Sequence, residues 1–404
     1  MGIARWGLWE RLITCLVAVL MLVAALPTPA LAAPEEEWTR RFGTEQADEV
    51  FALAVGPQGV YVGGGIARES HYAVTRAFLH KYEHNGELAW TKWYDPPKGH
   101  DGRTWIGAIA VDATGVYAGG SIDQVSGDDR VTFGLLRKYS HNGSLLWERR
   151  IGSREARETW VTAAAADPSG LYVAITSEWG DFLRKYSQRG DLLWTREISG
   201  HGTGVDLGAG GVYVSGVHQF GETGYIVDPT LDRFTRDGRH VWSRRWGSPE
   251  VQDFAHGVAV GGEDVYVVGS PSKRGSEGAY VRKYGADGRM RWTRRSNCAG
   301  DVDADASGAY LVGDCMRKYR SNGSVAWTRP FGDTYNVSDE HIRLWAAGDK
   351  PQSSEPTLYV AGQVQEPPTE QNQGLTDGYL RKYSQGDSMP VVMPDTGGGG
   401  SARP

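Results

Sequence analysis

One hairpin pattern recurs along the chain and constrains its fold more than any other feature. Its clearest copy, residues 135–152, reads LLRKYSHNGSLLWERRIG: a strand ending in Lys-Tyr, a turn carrying Asn142-Gly143, and a strand centred on Trp147. Asn-Gly predicts a hairpin, because both residues tolerate the positive φ of a type I′ turn. Further copies begin at Lys81-Tyr82, Lys185-Tyr186, Lys283-Tyr284 and Lys318-Tyr319, with a weaker one at Arg233-Phe234.

A second pair of strands precedes each hairpin, so that each repeat holds four strands, A to D. In the second repeat these strands are residues 106–112 and 116–120, joined by a turn through Gly115. Asp112 lies three residues before this glycine, where an aspartate caps its own turn.

The two ends of the chain each carry half of a hairpin. Residues 380–383 supply a Lys-Tyr strand that no Trp strand follows, and Trp38 to Gly43 form a Trp strand that no Lys-Tyr strand precedes. The repeat therefore predicts an all-β fold: a seven-bladed β-propeller of four-stranded antiparallel blades, in which residues 38–43 complete the seventh blade as a Velcro closure. The alternative, an open stack of β-meanders, would leave Trp38 unpaired and both edges exposed.

The segments outside the repeat predict an export signal and a tail. Residues 1–32 read as a signal peptide, with Arg5 and Arg11 before an apolar stretch that is too short to span a bilayer. Its removal takes two arginines and one glutamate away, which moves the formal charge from −6 to −7. The propeller is then expected over 33–384, without a transmembrane span, and a flexible Gly-, Pro- and Ser-rich tail over 385–404.

The tail contains a motif similar to a cell-wall sorting signal. Met393-Pro394-Asp395-Thr396-Gly397 resembles the Leu-Pro-x-Thr-Gly sequence that sortases cut between Thr and Gly. A working signal is followed by an apolar span and a basic end, and residues 398–404 offer neither. Secretion is thus expected, while wall attachment through a truncated signal and a chance match both stay open.

The repeat consensus, Ala-Val-Asp-x-x-Gly-x-Tyr, then Leu-x-Lys-Tyr, then Asn-Gly-x-x-x-Trp, resembles that of a bacterial family of secreted and surface β-propellers. The resemblance covers nearly all of 38–384 and implies seven blades, but the family has no general activity. The Gly-x-Leu-Leu-Trp strand is similar, less closely, to repeats of quinoprotein dehydrogenases and outer-membrane assembly scaffolds. Those usually have eight blades, and no quinone-pocket signature is present, so this likeness concerns the fold alone.

The long B–C and D–A connections should emerge on one face, where such folds carry recognition. Aromatic residues on or beside them are candidates for a carbohydrate or peptide platform, and wedging between blades is the alternative. These candidates are Trp93, Tyr94, Trp105, Trp160, Trp179, Phe220 and Tyr335.

No catalytic residue is predicted. The recurrent lysine of Lys-Tyr appears in most repeats, which indicates packing between blades rather than chemistry. The chain lacks nucleophile, zinc-protease and phosphate-loop motifs. Lysine and arginine are spread through every repeat without a basic block, so nucleic acid is an unexpected partner. A monomer is expected.

The two cysteines of the mature chain predict a disulfide. Cys298 lies at a D–A connection and Cys315 at a short B–C turn. Strands A and C are two spacings apart, roughly 9.5 Å, too far for a bridge within the sheet. The chain can bend inward at the loops, however, and a secreted protein meets oxidising conditions. Paired buried thiols are the alternative.

Three aspartates interrupt columns of small residues on the innermost strand. Asp206 and Asp303 stand in a column otherwise made of alanines such as Ala54, and Asp301 in the next column beside residues such as Gly257. Three carboxylates at the narrow end of a ring repel one another unless something screens them. A bound Ca²⁺ or cationic ligand is one hypothesis, solvated channel-lining carboxylates the other, and no further cofactor is expected.

Three functions remain open at this point. The first is a secreted or surface propeller that binds a protein or carbohydrate through its long-loop face, without chemistry. The second is an extracellular hydrolase or lyase with its site at the channel mouth, and the third is a purely structural module. Converging carboxylates or histidines would favour the enzyme, whereas exposed aromatics would favour the binder.

If the motif works as a sorting signal, the protein should be attached covalently to the cell wall through Thr396. Mass spectrometry of wall-bound and released protein would locate the C-terminus. Intact residues 397–404 on protein released freely into the medium would contradict wall attachment.

Overall fold

The computed structural model describes residues 32–67, 74–96, 102–126, 129–155, 157–220, 226–247, 252–271, 278–331, 337–345, 357–365 and 376–384. Within these ranges the chain forms strands and no helix, and hence no helix long and apolar enough to cross a membrane. The strands are β1 (Glu35–Phe42), β2 (Ala47–Gly56), β3 (Gly59–Ala67), β4 (Val74–Tyr82), β5 (Leu88–Tyr94), β6 (Thr104–Asp112), β7 (Gly115–Ser126), β8 (Asp129–Tyr139), β9 (Leu145–Ile151), β10 (Thr159–Asp167), β11 (Gly170–Ser177), β12 (Gly180–Tyr186), β13 (Leu192–Glu197), β14 (His201–Gly208), β15 (Gly211–Phe220), β16 (Ile226–Phe234), β17 (His240–Arg245), β18 (Asp253–Gly261), β19 (Asp264–Pro271), β20 (Tyr280–Gly285), β21 (Met290–Arg295), β22 (Asp301–Asp305), β23 (Gly308–Val312), β24 (Cys315–Arg320), β25 (Val325–Pro330), β26 (Val337–Trp345), β27 (Thr357–Gln365) and β28 (Thr376–Ser384).

These strands form seven four-stranded antiparallel sheets. Blades 1 to 6 take consecutive strands from β2–β5 to β22–β25, and blade 7 has the order β26-β27-β28-β1. The innermost strand of each blade contacts that of the next, and β26 contacts β2, so the blades close into a ring. The predicted seven-bladed β-propeller is confirmed.

The Velcro closure is confirmed. Trp38 lies opposite Lys382 and Phe42 opposite Gly378. The partner of residues 38–42 is therefore 378–382, and Trp38 opposite Lys382 repeats the pairing of lysine with tryptophan seen in other blades, such as Lys138 opposite Trp147. Gly378 makes this register fit, because a side chain at that position would collide with the Phe42 ring.

Within every blade the recurrent tyrosine of strand B packs against the recurrent tryptophan of strand D. In blade 2, for example, the rings of Tyr117 and Trp147 lie 5.9 Å apart and are tilted by 54°. Blade 7 repeats the pair across the closure, since Trp38 of β1 lies 6.1 Å from Tyr359 of β27. The seven pairs are Tyr61–Trp90, Tyr117–Trp147, Tyr172–Trp194, Tyr213–Trp242, Tyr266–Trp292, Tyr310–Trp327 and Tyr359–Trp38.

In blades 2, 3 and 5 the lysine of Lys-Tyr joins one blade to the next, as the sequence predicted for a packing residue. Lys138 is 2% exposed, and its Nζ donates to the Tyr117 hydroxyl and to the Gln188 carbonyl in the C–D turn of blade 3. Trp147 Nε1 donates to the same carbonyl at 2.9 Å. In blade 4, Arg233 replaces the lysine and donates to the Ala286 carbonyl of blade 5.

The Asn-Gly hairpins differ from the predicted type I′ turn. The Gly143 amide donates to the Ser140 carbonyl, so Gly143 is the fourth residue of the turn, with φ +86°. Opposite Lys138 and Tyr139 the strand β9 has one extra residue, Leu146, in a bulge. This is a three-residue hairpin, in which glycine supplies the left-handed conformation after the turn. Gly143 also lies against Trp90 of the preceding blade, where a Cβ would be 3.3 Å from the indole.

The predicted disulfide is confirmed. Cys298 and Cys315 are bonded, with their Cα atoms 4.7 Å apart. Blade 6 has the shortest inner strands, and Cys298 precedes β22 while Cys315 opens β24 after a two-residue turn. The chain therefore crosses at the loop end of the blade, where the sheet spacing does not apply.

Removal of residues 34–43 should open the ring. It deletes β1, leaves the edge of β28 unpaired and strips Trp38 from Tyr359, so we expect the free energy of unfolding to fall by about 4–5 kcal/mol or more. Urea denaturation of the truncated and full chains measures this loss. Deletion of 385–404, which the sequence predicts to be a tail, is the control, and equal stability of all three proteins would contradict the closure.

Candidate functional site: the channel mouth

A β-bulge interrupts the innermost strand of blades 1 to 5 near the end where the long connections emerge. In each case one extra residue is inserted before the strand resumes its register with strand B. Bulges re-aim side chains and are enriched next to active sites. The inserted residues are Phe51, Gly107, Thr162, Thr203 and His256.

A cavity of about 970 Å³ opens where these bulges meet. All five inserted residues line it, together with Asn297 and Asp314 from the D–A and B–C connections around blade 6. Its position at the starts of the inner strands places the cavity at the channel mouth on the long-loop face. Rigid folds commonly bind ligands at such a place.

One wall of the cavity is aromatic. Phe51 of blade 1 and Trp105 of blade 2 meet edge to face, with ring centroids 5.7 Å apart and an interplanar angle of 87°. Trp105 lies over Gly107, and a Cβ at that glycine would collide with the indole. The glycine in the bulge of blade 2 therefore makes room for the tryptophan ring.

The other walls also carry polar groups. His256 Nε2 lies 2.7 Å from Ser270 Oγ, and Thr203 Oγ1 lies 3.1 Å from Ser215 Oγ. The Thr162 hydroxyl donates to the Gly202 carbonyl of the next blade at 2.6 Å. Histidine and hydroxyl groups both donate and accept, so these walls offer hydrogen bonds of either sense.

The predicted aromatic residues divide between several environments. Trp105 lines the cavity, Trp93 is 38% exposed under the guanidinium of Arg76, and Trp179 is 64% exposed on a B–C turn. Trp160 is partly buried, beside the bulge of blade 3. Tyr94 is only 2% exposed and packs between blades, as the wedge alternative proposed.

Two of the predicted aromatics cannot be placed. Tyr335 lies outside the described residues, and so does the side chain of Phe220. The sorting motif, Met393 to Gly397, and the signal segment 1–31 also lie outside them.

The three predicted aspartates are not gathered into one ligand set. Asp206 accepts the Leu207 amide and, from the next blade, the Val260 amide, each at 2.7 Å. Asp301 and Asp303 accept the amides of the residues that follow them, and Asp301 also lines the cavity. Among the residues that the structure describes, no three His, Cys, Asp or Glu side chains are arranged to hold a metal ion.

Sequence reasoning missed Phe51, His256, Ser270 and the hydroxyl residues of the cavity. A signal was available, because each inserted residue stands directly before a member of the small-residue column: Ala52, Ala108, Ala163, Gly204 or Gly257. The position before this column varies widely in size and chemistry while its neighbours stay small.

Two buried groups with strongly shifted pKa values lie away from the cavity. Burial raises the pKa of Asp48 to about 6, against the opposing hydrogen bonds from Thr44. Burial lowers the pKa of His80 to about 4, and its Nδ1 lies 2.8 Å from Thr91 Oγ1. Neither residue lines the channel mouth.

Comparison with known proteins assigns no family to the chain. No family model matches the chain, and no curated protein matches it significantly. Among solved structures it is similar to BamB from Moraxella catarrhalis, with 11% identity, a TM-score of 0.44 and coverage of 89% of this chain and 99% of that chain. A europium-containing methanol dehydrogenase is 10% identical, with a TM-score of 0.45 and coverage of 87% of this chain and 93% of that chain. Sqt1 from Saccharomyces cerevisiae is 11% identical, with a TM-score of 0.43 and coverage of 87% of this chain and 98% of that chain.

At these identities and TM-scores the likeness carries no conclusion about function. The resemblance of the repeat to a bacterial propeller family is matched by no family model, so what stands confirmed is the seven-bladed fold.

Asp48→Asn should stabilise the protein near neutral pH. The folded-state pKa of Asp48, about 6, exceeds its ordinary value of 3.8, so folding favours the protonated carboxyl. The stability contribution of this group is present below pH 4 and is lost as the pH rises to about 6. We expect Asp48→Asn to gain about 1–3 kcal/mol at pH 7.5 and to match the wild type at pH 4.

Thermal and urea unfolding at both pH values test this expectation. The exposed Asp191, changed in the same way to Asn, is the control, because its carboxylate stays in water. Destabilisation by Asp48→Asn at pH 7.5 would show that the Thr44 hydrogen bonds outweigh the cost of burial.

Proposed function

We propose that this protein is a secreted or cell-surface binding module that holds its ligand, without chemistry, at the channel mouth on the long-loop face. One observation carries the proposal: the bulges place residues of different chemistry around a single cavity on an otherwise repetitive ring. The recurrent residues of the repeat are the same in successive blades because each packs against the next blade. Phe51, Thr162 and His256 share one position and have no common packing role.

The setting agrees with an extracellular role. Residues 1–32 have the sequence of an export signal, and the Cys298–Cys315 disulfide suits an oxidising compartment. The ligand is a protein or a carbohydrate, the module acts as a monomer, and binding requires no cofactor. Attachment to the cell wall through residues 393–397 is part of the proposal.

The His256–Ser270 pair supports a second candidate, a hydrolase acting at the same mouth. A serine hydroxyl 2.7 Å from an imidazole nitrogen has the geometry of a nucleophile and its general base. In that reaction Ser270 Oγ would attack a carbonyl carbon as its proton passes to His256, the alcohol would leave with that proton, and water would release the acyl group.

Ligand screening followed by footprinting tests the proposal. The mature protein is screened on oligosaccharide and peptide arrays, and hydrogen exchange maps the site of each ligand that binds. We expect protection at the starts of β2, β6, β10, β14 and β18, and recovery of the ligand unchanged. The amides of the A–B and C–D turns serve as the internal control.

Two outcomes would overturn this expectation. Protection confined to the A–B and C–D turns would place binding on the opposite face. Release of product that is abolished by Ser270→Ala would establish the hydrolase instead.

A further inference from the structure

We infer that the channel mouth binds a neutral oligosaccharide of about two to three sugar rings, a size suited to a cavity near the upper end of ligand-pocket volumes. This inference rests on the proposed binding function of the same cavity and names the class of ligand. Three features of the described lining carry it: an aromatic wall, a hydroxyl-binding wall and the sign of the charge.

The aromatic wall suits the apolar face of a sugar ring. Phe51 and Trp105 form a rigid corner, because their edge-to-face contact and the fit of Trp105 over Gly107 hold both rings. A pyranose presents C–H groups on one face, and burying them on an aromatic ring releases water from both. Small pockets for ions or phosphate need no such surface.

The hydroxyl-binding wall lies across the channel, on blades 5 and 6. It contains the His256–Ser270 pair, Asn297, Asp301 and Asp314. Carboxylate and amide oxygens accept hydrogen bonds from sugar hydroxyls, and imidazole, amide and hydroxyl groups supply both donors and acceptors. Hydrogen bonds to an ionised carboxylate are the stronger ones.

The charge of the cavity decides between ligand classes. The described lining contains Asp301 and Asp314 but no lysine or arginine. Acidic sugars, nucleotides and other phosphates would therefore meet repulsion without a compensating cation. A cationic peptide could pair with these carboxylates but would leave the Phe51–Trp105 wall across the channel uncovered, whereas a neutral sugar uses both walls.

Calorimetric titration with defined sugars tests the inference. The mature protein is titrated with maltotriose, cellotriose and triacetylchitotriose, and trigalacturonate and trilysine serve as charged probes. At least one neutral trisaccharide should bind, and the charged probes should bind at least about tenfold more weakly.

Two variants locate the site. Trp105→Ala should weaken binding about tenfold, because it removes the stacking surface. Asp314→Asn, a change confined to a loop, should weaken binding about threefold to tenfold even if Trp105→Ala perturbs the fold. Trp179→Ala, which removes an exposed tryptophan outside the cavity, is the matched control and should leave affinity unchanged.

Three results would overturn the inference. These are failure of all neutral trisaccharides to bind at 10 mM, preferential binding of trilysine or trigalacturonate, and loss of affinity in Trp179→Ala but not in Trp105→Ala. If a peptide instead protects the channel mouth in hydrogen exchange, the sugar inference fails while the binding function stands. Protection only on the opposite face removes both.

Discussion

The contact on which the ring depends is the seating of each C–D turn against the tryptophan strand of the preceding blade. In five of these contacts within the described residues, an arginine two residues after the tryptophan donates to the carbonyl of the turn glycine, as Arg149 does to Gly190 at 2.8 Å. A Cβ at Gly190 would lie 2.9 Å from the indole of Trp147, so the glycine is needed both for its positive φ and for this approach. Each hydrogen bond contributes only about 1 kcal/mol, but the arrangement recurs around the ring.

The same contact explains the closure. Trp38 and Arg40 stand on a strand from the opposite end of the sequence, and Arg40 Nε donates to the Gly86 carbonyl of blade 1 at 2.9 Å. No C–D turn joins β28 to β1, and at that point Arg329 of blade 6 donates to the Pro34 carbonyl. The chain ends therefore replace a turn without interrupting the series of contacts between blades.

Along each innermost strand, the residues that pack against neighbouring blades and the residues that line the cavity lie at opposite ends. Near the A–B turns these strands carry small residues that let neighbouring blades approach, and Asp206, which departs from the pattern, accepts a hydrogen bond from the Val260 amide of the next blade. Near the long connections the bulges release the strands from this constraint. The inserted position can therefore hold a different residue in each blade, such as Phe51, Thr162 or His256, because it faces the cavity.

The sequence by itself determined the number of blades, the order of their strands and the closure by residues 38–43. It could do so because the frame is made of local hairpins whose signals recur in register. Only the tertiary structure decided that Trp105 lines the cavity while Tyr94 is buried, and that Phe51 belongs to the site. The sequence shows that the position before the small-residue column varies, but only the closed ring shows that these positions from separate blades meet at one cavity.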